Sequence, residues 1–218
     1  MNKLIITSDG SHTIYVPELD EHYHSIHGAV QESNFIYIQS GFETSSADPV
    51  NIFEVGLGTG LNALLTAQES TLGSREVNYT AIEKFPVEES MLSSLNHHLF
   101  TVSTEKALSE LIHSATWGKW TRICKNFNLL KINADITDIT IKEKYNLIYF
   151  DAFGPDKQPE IWTSKVFESI AAATEKDGIF VTYSAKGEVR RNLKACGFIV
   201  TLLPGPPGKR QIIRAVKI

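Results

Sequence analysis

Cysteine is almost missing from this sequence: 218 residues hold two, Cys124 and Cys196. They stand far apart and lack the short spacing of a thiolate metal site. A disulfide-built scaffold and a zinc-finger type of centre are therefore excluded. Two reduced thiols are expected, and with them a cytoplasmic location. Long apolar runs are missing too, so no membrane contact is expected. The opening residues, MNKLIITSDGSH, lack the apolar stretch and small-residue end of an export signal. A large excess of either charge is missing, with 21 Lys and Arg against 25 Asp and Glu. The net value of −4 leaves only a local basic patch for any nucleic-acid contact. Repeats and low-complexity tracts are absent. What remains is 42% hydrophobic, enough to fill the core of one domain with a small appendage.

KLIITSDGSHTIYVP reads as two β runs around Asp9-Gly10, a hairpin. After the polar ELDEHYHSIHGA, the segment AVQESNFIYIQSGF predicts a passage from helix to strand, and SSADPV a loop. From Val50 the rhythm becomes strand–helix. VNIFEVG is an apolar strand, GLNALLTAQEST a helix, and EVNYTAIEKFP a strand ending at Glu83. Pro86 is expected to open a long helical stretch reaching about Thr121. FNLLKINAD, YNLIYFDAF and GIFVTYSA read as strands; PEIWTSKVFESIAAAT and GEVRRNLKAC read as helices. FIVTLLPG and RQIIRAVKI leave no room for a crossover helix, so they should pair antiparallel. A mostly parallel α/β sheet with one late antiparallel strand is the class I, Rossmann-like methyltransferase shape. Residues 1–48 are expected to form an N-terminal hairpin and cofactor-covering extension, and 49–218 the methyltransferase domain.

The NIFEVGLGTGLN stretch places Gly56, Gly58 and Gly60 between a strand and a helix. Its spacing departs from the Gly-x-Gly-x-x-Gly of dinucleotide sites. Glu54, two residues before the first glycine, suits a cation better than a phosphate. S-adenosylmethionine carries an ammonium and a sulfonium and no phosphate. Glu83 ends the next strand, where a carboxylate can accept both ribose hydroxyls. Asp135 ends the third, within reach of an adenine amino group. A lone acidic residue after a strand also serves as a helix cap, so the set carries more weight than its members.

YFDAFGPDKQPEIW follows the fourth strand, with Asp151 at its carboxyl end. Methyl transfer to nitrogen needs a free lone pair, and a primary alkylamine is mostly protonated near neutrality, its reference value being ~10.4. Asp151 is the candidate to accept the amine's hydrogen bond and proton. Phe153 is placed as a pocket wall or base platform and Lys157 as a phosphate contact. Lys209 and Arg210, at the end of PGPPGKR, are further candidates for substrate phosphate. Lys186, Arg190 and Lys194 share a helix face with Arg191 beside it, which reads as a nucleic-acid backbone track or as a solvated face. His22, His24 and His27 are too few in supporting ligands to predict a metal. Their segment reads as a loop over the cofactor, with Tyr23 and Ser25 offering hydroxyls. Trp117 and Trp120 are read as packing residues. On the residues alone an NAD-dependent oxidoreductase, an aminopropyl-transfer type of enzyme and a silent tRNA-binding module stay open.

FEVGLGTGLNALL, AIEKFP, DAFGPDKQPEIWT and PGPPGKRQI together resemble the methyltransferase domain of the MnmC family and its stand-alone MnmD-type relatives. The N-terminal DGSHTIYVPELDEHYHSIHGAVQES is similar to the stand-alone form. The likeness spans nearly the whole chain and is weakest around Leu92–Lys125. It implies conversion of 5-aminomethyl-2-thiouridine to 5-methylaminomethyl-2-thiouridine at the tRNA wobble position, with the anticodon arm as partner and S-adenosylmethionine as methyl donor. It implies Glu54, Gly56, Gly58, Gly60, Asn62 and Glu83 at the cofactor and Asp151 facing the amine. The bifunctional relatives carry an FAD-dependent oxidase domain. This chain is expected to lack one and to depend on another enzyme for the aminomethyl precursor.

Overall fold

A computed structural model describes residues 2–101 and 106–218. A small antiparallel sheet comes first, built from β1 (Lys3–Ile6), β2 (His12–Val16) and β3 (Glu21–His22). The hairpin about Asp9-Gly10 is present, with Lys3 opposite Tyr15 and Ile6 opposite His12. The Asp9 carboxylate ties the turn, accepting the Thr7 hydroxyl at 2.7 Å and the Ser11 N–H at 2.9 Å.

Next, α1 (Ala29–Ser33) runs into a π-helical turn, Asn34–Gln39, and a 3₁₀ turn, Phe42–Thr44. The strand expected in AVQESNFIYIQSGF is therefore a helix. Strand geometry would send Tyr37 to the face opposite Ile36 and Ile38. All three are buried, and enclosure by the rest of the molecule overrides the β preference of Phe-Ile-Tyr-Ile.

The main body alternates β4 (Val50–Val55), α2 (Leu61–Leu72), β5 (Val77–Glu83), α3 (Glu89–Leu92) and α4 (Lys106–Ser114). Then follow β6 (Thr121–Cys124), β7 (Phe127–Asn133), β8 (Tyr145–Phe150), α5 (Ser164–Ala173), β9 (Thr174–Thr182), α6 (Gly187–Ala195), β10 (Phe198–Pro204) and β11 (Gln211–Lys217). The eight strands from β4 onward form one sheet in the order β10-β11-β9-β8-β4-β5-β7-β6. β7, β5, β4, β8 and β9 are parallel neighbours, and β11 lies antiparallel between β9 and β10, as the sequence predicts. β6, antiparallel to β7, is an addition: it falls at the end of the stretch expected to be helical.

That stretch is not one helix. Pro86 lies in a loop, α3 is a single turn, and His97–Phe100 is a 3₁₀ turn. Its middle, 102–105, lies outside the described residues. The loop at Pro86 has a local cause: the Glu83 carboxylate takes the Phe85 N–H at 2.8 Å, which turns the chain away from helix. Trp117 packs beside the core with Lys131 over its ring at 4.9 Å, whereas Trp120 is 49% exposed and does not act as a packing residue.

Strand alternation divides the core into two layers. Ile52, Leu147 and Tyr149 face α2 and the π-turn; Phe53, Ile148 and Phe150 face α5 and α6. Because both faces are covered, β4 and β8 are buried at every position but Asn51 and Asn146. Among the described residues, no helix is long and apolar enough to cross a membrane.

Candidate active site

β4 is flanked by β5 on one side and β8 on the other, so the chain leaves it in two directions. At such a reversal the carboxyl ends of the strands diverge and open a crevice. A cleft of about 930 Å³ lies there, walled by the β4–α2 loop, the ends of β5, β7 and β8, and residues of the N-terminal segment.

The β4–α2 loop leaves no space for side chains at two of its glycines. A Cβ on Gly56, where φ is +89°, would lie 2.5 Å from the Asp151 carbonyl oxygen. One on Gly58 would lie 2.9 Å from the Tyr23 ring. Both glycines line the cleft, which they meet with backbone alone. The Gly58 N–H donates to Glu83 Oε2 at 3.0 Å, so Glu83 is fixed by Gly58 and Phe85 together. Burial pushes the Glu83 carboxyl up, against the pull of those N–H donors. Asp135 also reaches the wall. Burial raises its carboxyl, but Lys84 Nζ at 2.7 Å and the Thr137 N–H at 2.9 Å outweigh this and hold it low.

Glu54, Gly60 and Asn62 lie behind the wall rather than on it. Glu54 is 1% exposed, and burial drives its carboxyl well above the usual range. Its Oε1 accepts the Asn62 amide at 2.9 Å, and its Oε2 accepts no hydrogen bond among the described residues. The same Asn62 nitrogen donates to Asp151 Oδ2 at 2.7 Å. The Asp151 carboxyl is raised to about 6. Burial is the main cause; Tyr37 and Asn62 oppose it, Glu32 adds to it and Lys209 pulls it back.

Phe153 lines the cleft with the Tyr23 ring against it edge-on, centroids 5.0 Å apart. Its loop is held by two aromatic donors: the Trp162 indole N–H bonds the Phe153 carbonyl, and the Tyr183 hydroxyl bonds the Ala152 carbonyl, each at 2.8 Å. Lys157 is half-buried on the wall, its N–H on the Gly154 carbonyl at 2.8 Å. Lys209 is on the wall; Arg210 is exposed and outside it. The β10–β11 loop thus brings Lys209 to the cleft and leaves Arg210 in solvent. On α6, Arg190, Arg191 and Lys194 are exposed, while Lys186 reaches the cleft and pairs with Asp156.

The three early histidines have separate partners. His22 packs on Tyr15 at 4.8 Å, His24 Nε2 meets Thr59 Oγ1 at 2.7 Å, and the exposed His27 lies against Gly208. Sequence reasoning missed Glu32, Tyr37, Tyr183 and His113. Glu32, Tyr37 and His113 sit in no glycine-rich or strand-end motif, and tertiary packing alone brings them there; Tyr183 follows the carboxyl end of β9, a strand-end signal that could have found it.

The wall suits an adenosyl sulfonium better than a pyrophosphate. It presents the Glu83 and Asp135 carboxylates beside bare backbone, carries no arginine among the described residues, and of its lysines Lys84, Lys186 and Lys209 are paired to carboxylates, with Lys157 beside them. Glu54 is buried behind this wall, where the Tyr79 hydroxyl faces its carboxyl.

Known proteins agree. Residues 98–218 match the model of a family described as S-adenosyl-L-methionine-dependent methyltransferase. The tRNA 5-methylaminomethyl-2-thiouridine biosynthesis bifunctional protein MnmC of Nitrosospira multiformis is 28% identical over 92% of this chain, and that of Campylobacter hominis 29% over 84%. The chain spans only 35% and 28% of those relatives' length. Among solved structures, MnmC2 from Aquifex aeolicus superposes with a TM-score of 0.79 at 23% identity, covering 99% of this chain and 69% of that one. Spermidine synthase from Thermotoga maritima superposes at 0.54 and 11% identity, covering 99% and 72%. These two likenesses establish a shared fold. On the family match, which spans more than half of its length, the chain belongs to the S-adenosyl-L-methionine-dependent methyltransferases.

Proposed function

We propose that this chain methylates the primary amine of 5-aminomethyl-2-thiouridine at the wobble position of tRNA, giving 5-methylaminomethyl-2-thiouridine. The observation that carries the reading is Asp151: a carboxyl raised to about 6, on the wall of the cleft and beside the glycine loop. The printed names of the curated relatives point to the same nucleoside.

S-adenosylmethionine, when bound, supplies an electrophilic methyl carbon on its sulfonium. Glu83 holds ribose hydroxyls, Asp135 faces the base, and Gly56 and Gly58 let the ligand lie against backbone. Residues 1–48 act as a cover through Tyr23, and 49–218 act as the methyltransferase domain. Asp151, ionised above about pH 6, accepts a hydrogen bond and then a proton from the amine, leaving the nitrogen lone pair free. Asn62 and Tyr37 keep the carboxylate oriented. Phe153 and Tyr23 exclude water from the reacting centre, and Lys157 meets the tRNA backbone. The uridine must leave the anticodon stack to enter. Another enzyme makes the aminomethyl precursor.

The test is methyl transfer from labelled cofactor to tRNA from cells lacking this modification, read by nucleoside mass spectrometry. Label in 5-methylaminomethyl-2-thiouridine supports the reading. Label in a polyamine with none in tRNA would overturn it.

A further inference from the structure

Glu32 sits on the wall of the same cleft as Asp151. Its Oε2 is fixed by the Ser25 N–H at 2.9 Å. Its Oε1 lies 3.0 Å from Lys209 Nζ, an ion-pair distance, yet receives no properly directed hydrogen bond among the described residues. The Glu32 side chain is 12% exposed and that of Lys209 28%. A carboxylate so enclosed is costly unless a cation stands beside it. Lys209 supplies that cation from the Pro- and Gly-rich loop between β10 and β11. Its ammonium also lies 4.8 Å from the centre of the Tyr183 ring. Tyr183 in turn bonds the carbonyl of Ala152, the residue after Asp151. A buried carboxylate and an aromatic face beside the reacting carboxylate make an ammonium site, and the protein's own lysine fills it.

We propose that Glu32 recognises the ammonium form of the incoming amine, and that Lys209 occupies this position until the substrate displaces it. The inference rests on the amine-methylation reading. The amine arrives charged, since its ordinary value is ~10.4. Glu32 binds it in that state. One N–H bond then breaks, its proton passes to Asp151, and its electron pair stays on nitrogen. A uridine whose 5-substituent is uncharged cannot displace Lys209, so Glu32 selects for the amine before any chemistry occurs. Lys209, once released, is free to meet a phosphate.

The experiment compares binding of tRNA carrying 5-aminomethyl-2-thiouridine with the same tRNA carrying 2-thiouridine, by filter binding with S-adenosylhomocysteine present. The wild-type protein should prefer the amine about tenfold. Glu32→Gln should bring the ratio near one, with S-adenosylhomocysteine affinity by calorimetry unchanged, which also reports on folding. Lys209→Met should raise the amine preference, because the competing cation is gone. Full preference kept in Glu32→Gln, or lowered in Lys209→Met, would overturn the inference while methyl transfer by the wild type still upheld the amine reading. A wild type that neither prefers nor methylates the amine would overturn both.

Discussion

Asn62 reaches Asp151 with the same amide nitrogen that it gives to Glu54: Nδ2 lies 2.7 Å from Asp151 Oδ2 and 2.9 Å from Glu54 Oε1. An amide nitrogen has two hydrogens, so both are used and the amide cannot turn. The residue expected at the cofactor thereby anchors the carboxylate proposed as the base. Its hydrogen bond favours the charged form of Asp151 and opposes the effect of burial. Removing it should make Asp151 harder to ionise. In Asn62→Ala the acid limb of kcat against pH, placed near 6 in the wild type, should move to higher pH. An unmoved limb at saturating cofactor would separate Asn62 from Asp151.

Asp151 itself links activity to stability. Its folded carboxyl lies near 6 against an ordinary 3.8, so the folded state holds the proton more tightly than the unfolded chain. Ionised Asp151 therefore opposes folding above about pH 6, and the penalty fades as pH falls towards 4. Asp151→Asn should abolish turnover and leave S-adenosylhomocysteine binding nearly intact. It should also raise Tm at pH 8, by an amount that shrinks towards pH 4. A lower Tm at pH 8, or turnover close to wild type, contradicts the assignment.

The glycine loop is braced from outside the strand–loop–helix unit. Thr59 is 1% exposed and its carbonyl accepts His113 Nε2 at 3.0 Å. A carbonyl only accepts, so this nitrogen carries the proton. Burial lowers the His113 value and keeps the ring neutral. Lys131 Nζ fixes the end of α4 by donating to the Ile112 and His113 carbonyls at 3.0 and 2.7 Å. His113→Ala should weaken S-adenosylhomocysteine binding about tenfold, or ~1.4 kcal/mol, and His113→Gln should recover part of it. Calorimetry decides, and equal affinities in all three proteins would remove the brace from the account.

Gly56 leaves no room for a side chain. A methyl group there would meet the Asp151 carbonyl oxygen at 2.5 Å from a backbone with φ of +89°. Gly56→Ala should lower stability by ~1–3 kcal/mol and abolish cofactor binding, because relief requires the loop or the end of β8 to move. Denaturant unfolding and calorimetry check this; wild-type values in both would refute the close approach.

Much of this was legible in the residues. The short, mostly apolar β4 and β8, bounded by turn residues, read as strands covered on both faces, and the short link between β10 and β11 forced their antiparallel pairing. Gly56, Gly58, Glu83 and Asp151 stand at strand ends, where a parallel sheet gathers its ligands. Other parts had no local signal. Tyr37 reaches the Asp151 carboxylate only because Asn34–Gln39 coils into a π-turn, against its β-rich composition. Glu32 meets Lys209 across 177 positions of sequence, a contact that tertiary folding alone creates. Arg210 follows Lys209 directly, yet the β10–β11 loop turns it out of the cleft.

The central claim is that an adenosyl sulfonium lies in the cleft beside Gly58, with its reactive carbon towards Asp151. The most direct measurement is a crystal structure with S-adenosylmethionine bound. The account predicts ribose hydroxyls on Glu83, the base towards Asp135, and the methyl group turned to the Asp151 side of the cleft. A donor lodged elsewhere, or a methyl group facing away from Asp151, would contradict it.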